Sequence, residues 1–248
     1  MQRYFANSIN NNKLILNDDD FYHIKTVMRM KENDHIEVVY DNTLYLCSLG
    51  NINLKEVNII RKLEHNNDNP VEVTLIVPLL KEQKMSLILE KATELGVSRI
   101  IPLVMERSII RIDESRFNKK LERWRRICKE ASEQSKRVDI PEITELKKIK
   151  DLENLDGIKL VCSTEKNISS IKICLKKHDF CDKINVVIGP EGGLTKNEEK
   201  ILVDIGFKRV TLGNRILRVE TVPMVILSII NYEYMEWFDD YWVFFKYE

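Results

Sequence analysis

Apolar and polar positions divide this chain into two regimes. Residues 36–39, 44–49 and 57–60 are short apolar runs, rich in β-branched side chains and separated by polar turns, the pattern of strands in a small β-barrel. Residues 64–70 have no apolar period and are rich in Asn and Asp, a linker composition, so the pattern divides the chain into 1–69 and 70–248. Past that point strand and helix patterns alternate. Residues 71–80 predict a buried strand with Pro78 near its end, 85–95 an amphipathic helix stopped at Gly96, and 99–105 a further strand. Residues 157–162, 185–188 and 209–212 continue the strands, each followed by a helix, which predicts an α/β domain with a parallel sheet. Trp124, Ile127, Cys128 and Ala131 recur at helical spacing and predict a core-facing stripe.

Composition narrows the class. With 248 residues, 44% of them hydrophobic, the chain can bury a core without staples, and its five cysteines lack any C-x-x-C spacing, which argues against a disulfide framework or a zinc site and for a reduced cytoplasm. No signal-peptide pattern opens the chain. The longest apolar stretch, 222–230, falls short of the roughly 20 residues that span a bilayer, so no membrane location is expected. The aromatic tail, 232–247, carries Glu233, Glu236, Asp239 and Asp240, which anionic lipid would repel; packing on a dimer or domain is the expected use.

The formal net charge is zero, poor for a nucleic-acid binder in sum but uneven in distribution. Between residues 116 and 137, Arg116, Lys119, Lys120, Arg123, Arg125, Arg126, Lys129, Lys136 and Arg137 outnumber Glu122, Glu130 and Glu133. A solvated helix face and an RNA contact surface both fit that pattern.

The densest chemistry lies near the C-terminus. Val186-Val187-Ile188-Gly189-Pro190-Glu191-Gly192-Gly193-Leu194 is a buried strand broken by glycines, and Thr195 three residues before Glu198 forms a capping box that opens a helix. Such a turn exposes backbone amides that can hold a polar ligand, although an ordinary tight turn looks the same. Neither a phosphate loop nor a G-x-G-x-x-G dinucleotide site is present.

Together with Leu212-Gly213-Asn214-Arg215-Ile216-Leu217-Arg218-Val219-Glu220-Thr221, this segment resembles the knotted SPOUT methyltransferases, and most closely the RsmE-type enzymes that methylate N3 of a uridine in small-subunit (16S) ribosomal RNA. The resemblance covers nearly the whole chain. It includes Arg3-Tyr4-Phe5, the H-x-x-x-V-x-R pattern from His23 to Arg29, Lys91-Ala92-Thr93-Glu94-Leu95-Gly96-Val97, Glu106-Arg107-Ser108, Arg123-Trp124, Glu130-Ala131-Ser132-Glu133-Gln134-Ser135-Lys136-Arg137 and Ile140-Pro141-Glu142. Departures are Asn33 for a usual Gly, Leu194 for Phe, Val138 for Asn, Val219 for Thr, and Val222-Pro223 after Glu-Thr. Pro223 is acceptable in the first turn of a helix.

The resemblance implies a PUA-like RNA-binding domain, a parallel-sheet domain with a deep trefoil knot, a homodimer, S-adenosyl-L-methionine as methyl donor and no metal. It implies that Thr164, Glu165, Ile188, Gly189, Pro190, Glu191, Gly192, Leu212, Gly213, Arg215, Ile216, Leu217 and Arg218 hold the donor. Uracil N3 carries a proton, so methylation needs an acceptor and a group that favours the anion. Glu191 and Glu220 are the candidate acceptors, and Arg215 or Arg218 the candidate anion stabiliser. Arg218 and Glu220 equally suit a structural ion pair. Arg3, Arg29, Arg107, Arg123, Arg126 and Arg137 are the candidate RNA contacts, and zero net charge favours the assembled 30S subunit over naked RNA as substrate. The competing readings are a non-catalytic ribosome-assembly factor, a SPOUT enzyme with another RNA target, and a nucleotide-binding enzyme that transfers another group.

Overall fold

The computed structural model describes residues 1–51, 55–64, 71–108, 110, 114–176 and 181–235. Two compact units result, one made of Met1–Asp68 with Lys129–Ile140, the other of Asn69–Cys128 with Pro141–Glu248.

The first unit holds β1 (Arg3–Phe5), β2 (Ser8–Asn10), β3 (Lys13–Ile15), α1 (Asp18–Tyr22), β4 (His35–Tyr40), β5 (Thr43–Leu49) and β6 (Glu56–Lys62). Its sheet runs β1-β4-β5-β6-β3-β2, with only the β1–β4 pair parallel. The β4–β5 hairpin turns on Asp41 and Asn42 at φ 48° and 52°, residue types that tolerate the left-handed pair a tight hairpin needs. Asn33, where the family pattern has Gly, sits at φ 72°, so asparagine substitutes for glycine because it too enters the left-handed region. Asn17 caps α1 by accepting from the Asp20 amide at 2.7 Å.

Residues 129–140 complete this unit. Val138 packs on Val39 and Leu44. Lys129 binds Asp20 and Glu133, the latter at 2.7 Å. Arg3, only 5% exposed, pairs with Glu37 at 2.9 Å and donates to the Lys136 and Arg137 carbonyls.

The second unit holds β7 (Glu72–Pro78), α2 (Glu82–Glu94), β8 (Arg99–Leu103), β9 (Glu142–Ile143), β10 (Ile158–Cys162), α4 (Ile171–Lys176), β11 (Lys183–Val187), α5 (Lys196–Asp204), β12 (Lys208–Val210) and α6 (Val222–Met235), with α3 (Glu114–Gln134) between β8 and β9. The sheet is parallel throughout, in the order β12-β10-β11-β7-β8-β9. Consecutive residues face opposite sides: Leu75 and Val186 join one core with Met85, Leu89, Trp124 and Ile226, while Ile76 and Val187 join another with Leu202 and Phe207. Burial on both faces is why these strands read as unbroken apolar runs.

The expected strands and helices of this unit are present. Pro78 ends β7, Gly96 at φ 85° follows α2, and Pro223 lies in the first turn of α6, where its missing N–H costs nothing. Trp124 and Cys128 are buried. The short strands and helix of residues 3–22 had no clear periodic signal. Most of the 64–70 linker and of the aromatic tail lies outside the described residues; at the described start of the tail, Tyr232 is exposed and Tyr234 buried.

Candidate functional site

Three neighbouring strands, β12, β10 and β11, run parallel, so their C-terminal ends share one edge of the sheet, the place where open α/β sheets bind ligands. Loops 163–168, 188–195 and 211–221 leave from that edge. The last of them starts at the outer strand β12 and ends in α6, which packs on α2; Asn231 of α6 donates to the Leu95 carbonyl at 2.9 Å. Since α2 follows β7, on the far side of β10 and β11, this segment crosses the ends of the intervening strands.

Loop 188–195 is fixed at both ends. The Ile188 amide continues the sheet to the Ile76 carbonyl at 3.0 Å, the Gly193 amide closes a turn on the Pro190 carbonyl at 2.8 Å, and Thr195 and Glu198 form the expected reciprocal cap. A Cβ on Gly189 would stand 3.2 Å from the Leu194 nitrogen, so that glycine is set by close packing. Gly193, at φ 70°, faces open space. Arg107, one of the expected RNA contacts, lays its stem along Gly192 and donates to the Gly192 carbonyl at 2.9 Å, bracing the loop.

Loop 211–221 is held by its ends and open in between. The Thr211 hydroxyl exchanges hydrogen bonds with Gly213, and the Arg218 carbonyl accepts from the Thr221 and Val222 amides. Among the described residues, the amides of Asn214, Arg215, Ile216 and Leu217 have no hydrogen-bond partner. Gly213, at φ 126°, again faces open space. Leu212 packs against the core, as does Val219, whose side chain is 6% exposed. Arg215, Ile216 and Arg218 are exposed, Ile216 to 86%.

The postulated Arg218–Glu220 ion pair is not formed. Lys84 of α2 takes that place: its Nζ is 3.0 Å from Glu191 Oε1 and 3.5 Å from Glu220 Oε2. The second contact is an ion pair too loose for a hydrogen bond, and Glu220 Oε2, buried, has no hydrogen-bond partner among the described residues. Burial pushes the Glu191 carboxyl up, but the Lys84 hydrogen bond and charge outweigh it and hold it below the usual range. The same hydrogen bond, donated to Glu191, holds the Lys84 ammonium above its ordinary range. Lys84 was missed in the sequence because a lysine at a helix start reads as a solvated charge.

On loop 163–168, Thr164 and Glu165 are exposed; Glu165 pairs with Arg209, and the Ser163 hydroxyl donates to Glu199 at 2.9 Å. The remaining arginines separate by environment. Arg3 and Arg137 are buried or nearly so in the first unit, Arg137 gripping Asp139 through two nitrogens at 3.2 and 2.6 Å. Arg29 is exposed, at φ 51°, Arg126 is exposed, and Arg123 is 61% exposed beside Glu82 at 3.5 Å.

Comparison with known proteins agrees with this geometry. Residues 67–231 match the model of an RNA methyltransferase domain and residues 16–60 that of an RNA methyltransferase PUA domain. The chain is 32% identical to ribosomal RNA small subunit methyltransferase E of Bacillus subtilis, over 94% of this chain and 97% of that one. It is 35% identical to the protein of the same name from Mesomycoplasma hyopneumoniae, over 92% and 98%. A crystal structure of the Neisseria gonorrhoeae protein of that name, bound to S-adenosyl methionine, superposes with a TM-score of 0.84 at 27% identity, covering 94% of this chain and 98% of that one.

Proposed function

Because the chain belongs to the family of ribosomal RNA small subunit methyltransferase E, we propose that it methylates N3 of a uridine in small-subunit ribosomal RNA, with S-adenosylmethionine as donor and the assembled subunit as substrate. The observation that carries this reading is the meeting of loops 163–168, 188–195 and 211–221 at one end of three adjacent parallel strands.

The residues there fit an adenosine-bearing ligand. Unpaired amides in the last loop, and glycines whose missing side chains leave open space, offer backbone groups at close approach. Leu212, Gly213 and Arg215 to Arg218 would hold the donor with Ile188 to Gly192 and with Thr164 and Glu165. Ile188 and Leu217 would contribute backbone and apolar contact; Glu165 is already engaged by Arg209. S-adenosylmethionine bound there supplies an electrophilic methyl carbon.

The chain's own residues must expose the base and handle its N3 proton. Glu220 is the better acceptor: its Oε2 makes only the looser 3.5 Å ion pair with Lys84 and no hydrogen bond, whereas Glu191 is hydrogen-bonded by Lys84 at 3.0 Å, is held ionised and is a weaker base. Arg215 and Arg218, exposed and without an ion-pair partner among the described residues, would stabilise the developing uracil anion. Arg29, Arg123 and Arg126, which are exposed, would contact phosphate. A homodimer, a cytoplasmic location and a deep trefoil knot belong to the same reading; the crossing of residues 211–221 over the ends of β10 and β11 is the path a knot would take.

The test is to incubate the protein with radiolabelled donor and either unmethylated small subunits or their deproteinised RNA, then identify the labelled nucleoside. N3-methyluridine is the expected product, with subunits preferred. Label in another nucleoside would overturn the target atom, and equal labelling of both substrates would overturn the preference for the particle.

A further inference from the structure

Lys84 lies in the first turn of α2, where the helix dipole disfavours a cation. Something else must hold it there. The helix is rigidly seated, with Met85, Ile88 and Leu89 fully buried, so the base of the Lys84 side chain is a fixed point. From that point one ammonium reaches a carboxylate on each of two loops: Glu191 follows β11 and Glu220 precedes α6. Two carboxylates so close together repel unless a cation stands between them.

We infer that Lys84 is a positioning residue that clamps loop 188–195 to loop 211–221 and so keeps the donor site assembled before any ligand arrives. The inference rests on the donor reading given above, but its mechanical content belongs to the ligand-free chain. Half-burial strengthens the clamp: the side chains of Lys84, Glu191 and Glu220 are 34%, 26% and 16% exposed, which reduces screening without the full desolvation cost of a buried triad. Arg107 secures loop 188–195 separately through the Gly192 carbonyl, so loss of Lys84 would free the partnership between the loops while leaving that anchor in place.

The test uses the full-length protein without donor and three variants, Lys84→Met, Lys84→Arg, and Lys84→Met combined with Glu191→Gln. Hydrogen exchange is followed in peptides covering residues 188–195 and 211–221, and affinity for S-adenosylhomocysteine is measured by calorimetry. In Lys84→Met, exchange should accelerate in both loops together and affinity fall, each by about fivefold, the scale of a half-exposed ion pair. Lys84→Arg should restore both, and the double variant should recover part of each loss because one of the two repelling charges is gone. Unchanged exchange in Lys84→Met, faster exchange in only one loop, or an arginine variant as poor as methionine would each overturn the clamp. Coupled protection of the loops in a wild-type protein that binds no S-adenosylhomocysteine would instead overturn the donor reading and leave the clamp standing.

Discussion

Replacing Glu133 by Gln tests the electrostatics of the first unit. Glu133 is 16% exposed and shares one lysine, Lys129, with Asp20, itself 5% exposed and with one carboxylate oxygen lacking a hydrogen-bond partner among the described residues. Burial pushes the Glu133 carboxyl up to about 7; Lys129 and the Phe5 amide oppose that rise without cancelling it, and Asp20 adds to it. The folded chain therefore retains a proton that the unfolded chain releases near pH 4.5. Stability from this group is greatest below pH 4.5, falls as pH rises to about 7, and is level beyond. At 1.36 kcal/mol per pH unit the loss amounts to about 3 kcal/mol at most, less what coupling with Asp20 absorbs. Glutamine keeps an oxygen for the Phe5 amide and cannot ionise, and Lys129 keeps Asp20. Calorimetric unfolding of wild type and Glu133→Gln between pH 5 and 8 should show the variant gaining on the wild type as pH rises, by roughly 2 kcal/mol across the range. A difference that stays constant with pH would refute the reasoning.

Other outcomes follow from single contacts. Gly157→Ala places a Cβ 2.3 Å from the Lys183 carbonyl oxygen at a backbone φ of 85°, so it should lower the urea midpoint by the equivalent of roughly 2–4 kcal/mol. Arg107→Ala removes the brace on Gly192 and should weaken S-adenosylhomocysteine binding several-fold in a calorimetric titration while changing the melting temperature little. Val219→Thr restores the residue usual in the family pattern but buries a hydroxyl among core side chains; it should cost about 1–2 kcal/mol in denaturant titration and leave donor affinity unchanged. Tighter donor binding by that variant would show that the side chain faces the ligand.

What could be read from the sequence was local. The Thr195–Glu198 cap, the stop at Gly96 and the Trp124–Cys128 stripe depend on residues within one or two turns of each other, and their spacing alone implies them. The inner strands β7, β8 and β11 were equally plain because both faces are buried and little else makes so continuous an apolar run, whereas the two-residue β9 at the edge gave no signal. The site was legible as glycine-rich loops but not as a set of partners. Glu191 lies 107 residues from Lys84 in sequence, and no periodicity links them. The partners of the arginines were hidden for a related reason: Arg3 and Arg137 have the type expected of RNA contacts, and Glu37, Asp139 and two backbone carbonyls bind them, but a sequence does not display who neutralises whom.

The return of residues 129–140 to the first unit has a consequence for biosynthesis. A ribosome making this chain releases the six strands of that unit well before it makes Val138, which fills their core beside Val39 and Leu44, or the carbonyls that receive Arg3. Until then Asp20 has no lysine and Arg3 only one of its three partners. The amino-terminal sheet therefore lacks these contacts through the synthesis of β7, α2 and β8 and gains them only when the end of α3 emerges. Cutting the chain at the linker would remove that end permanently, so a fragment chosen to isolate the RNA-binding unit must carry residues 129–140 as well.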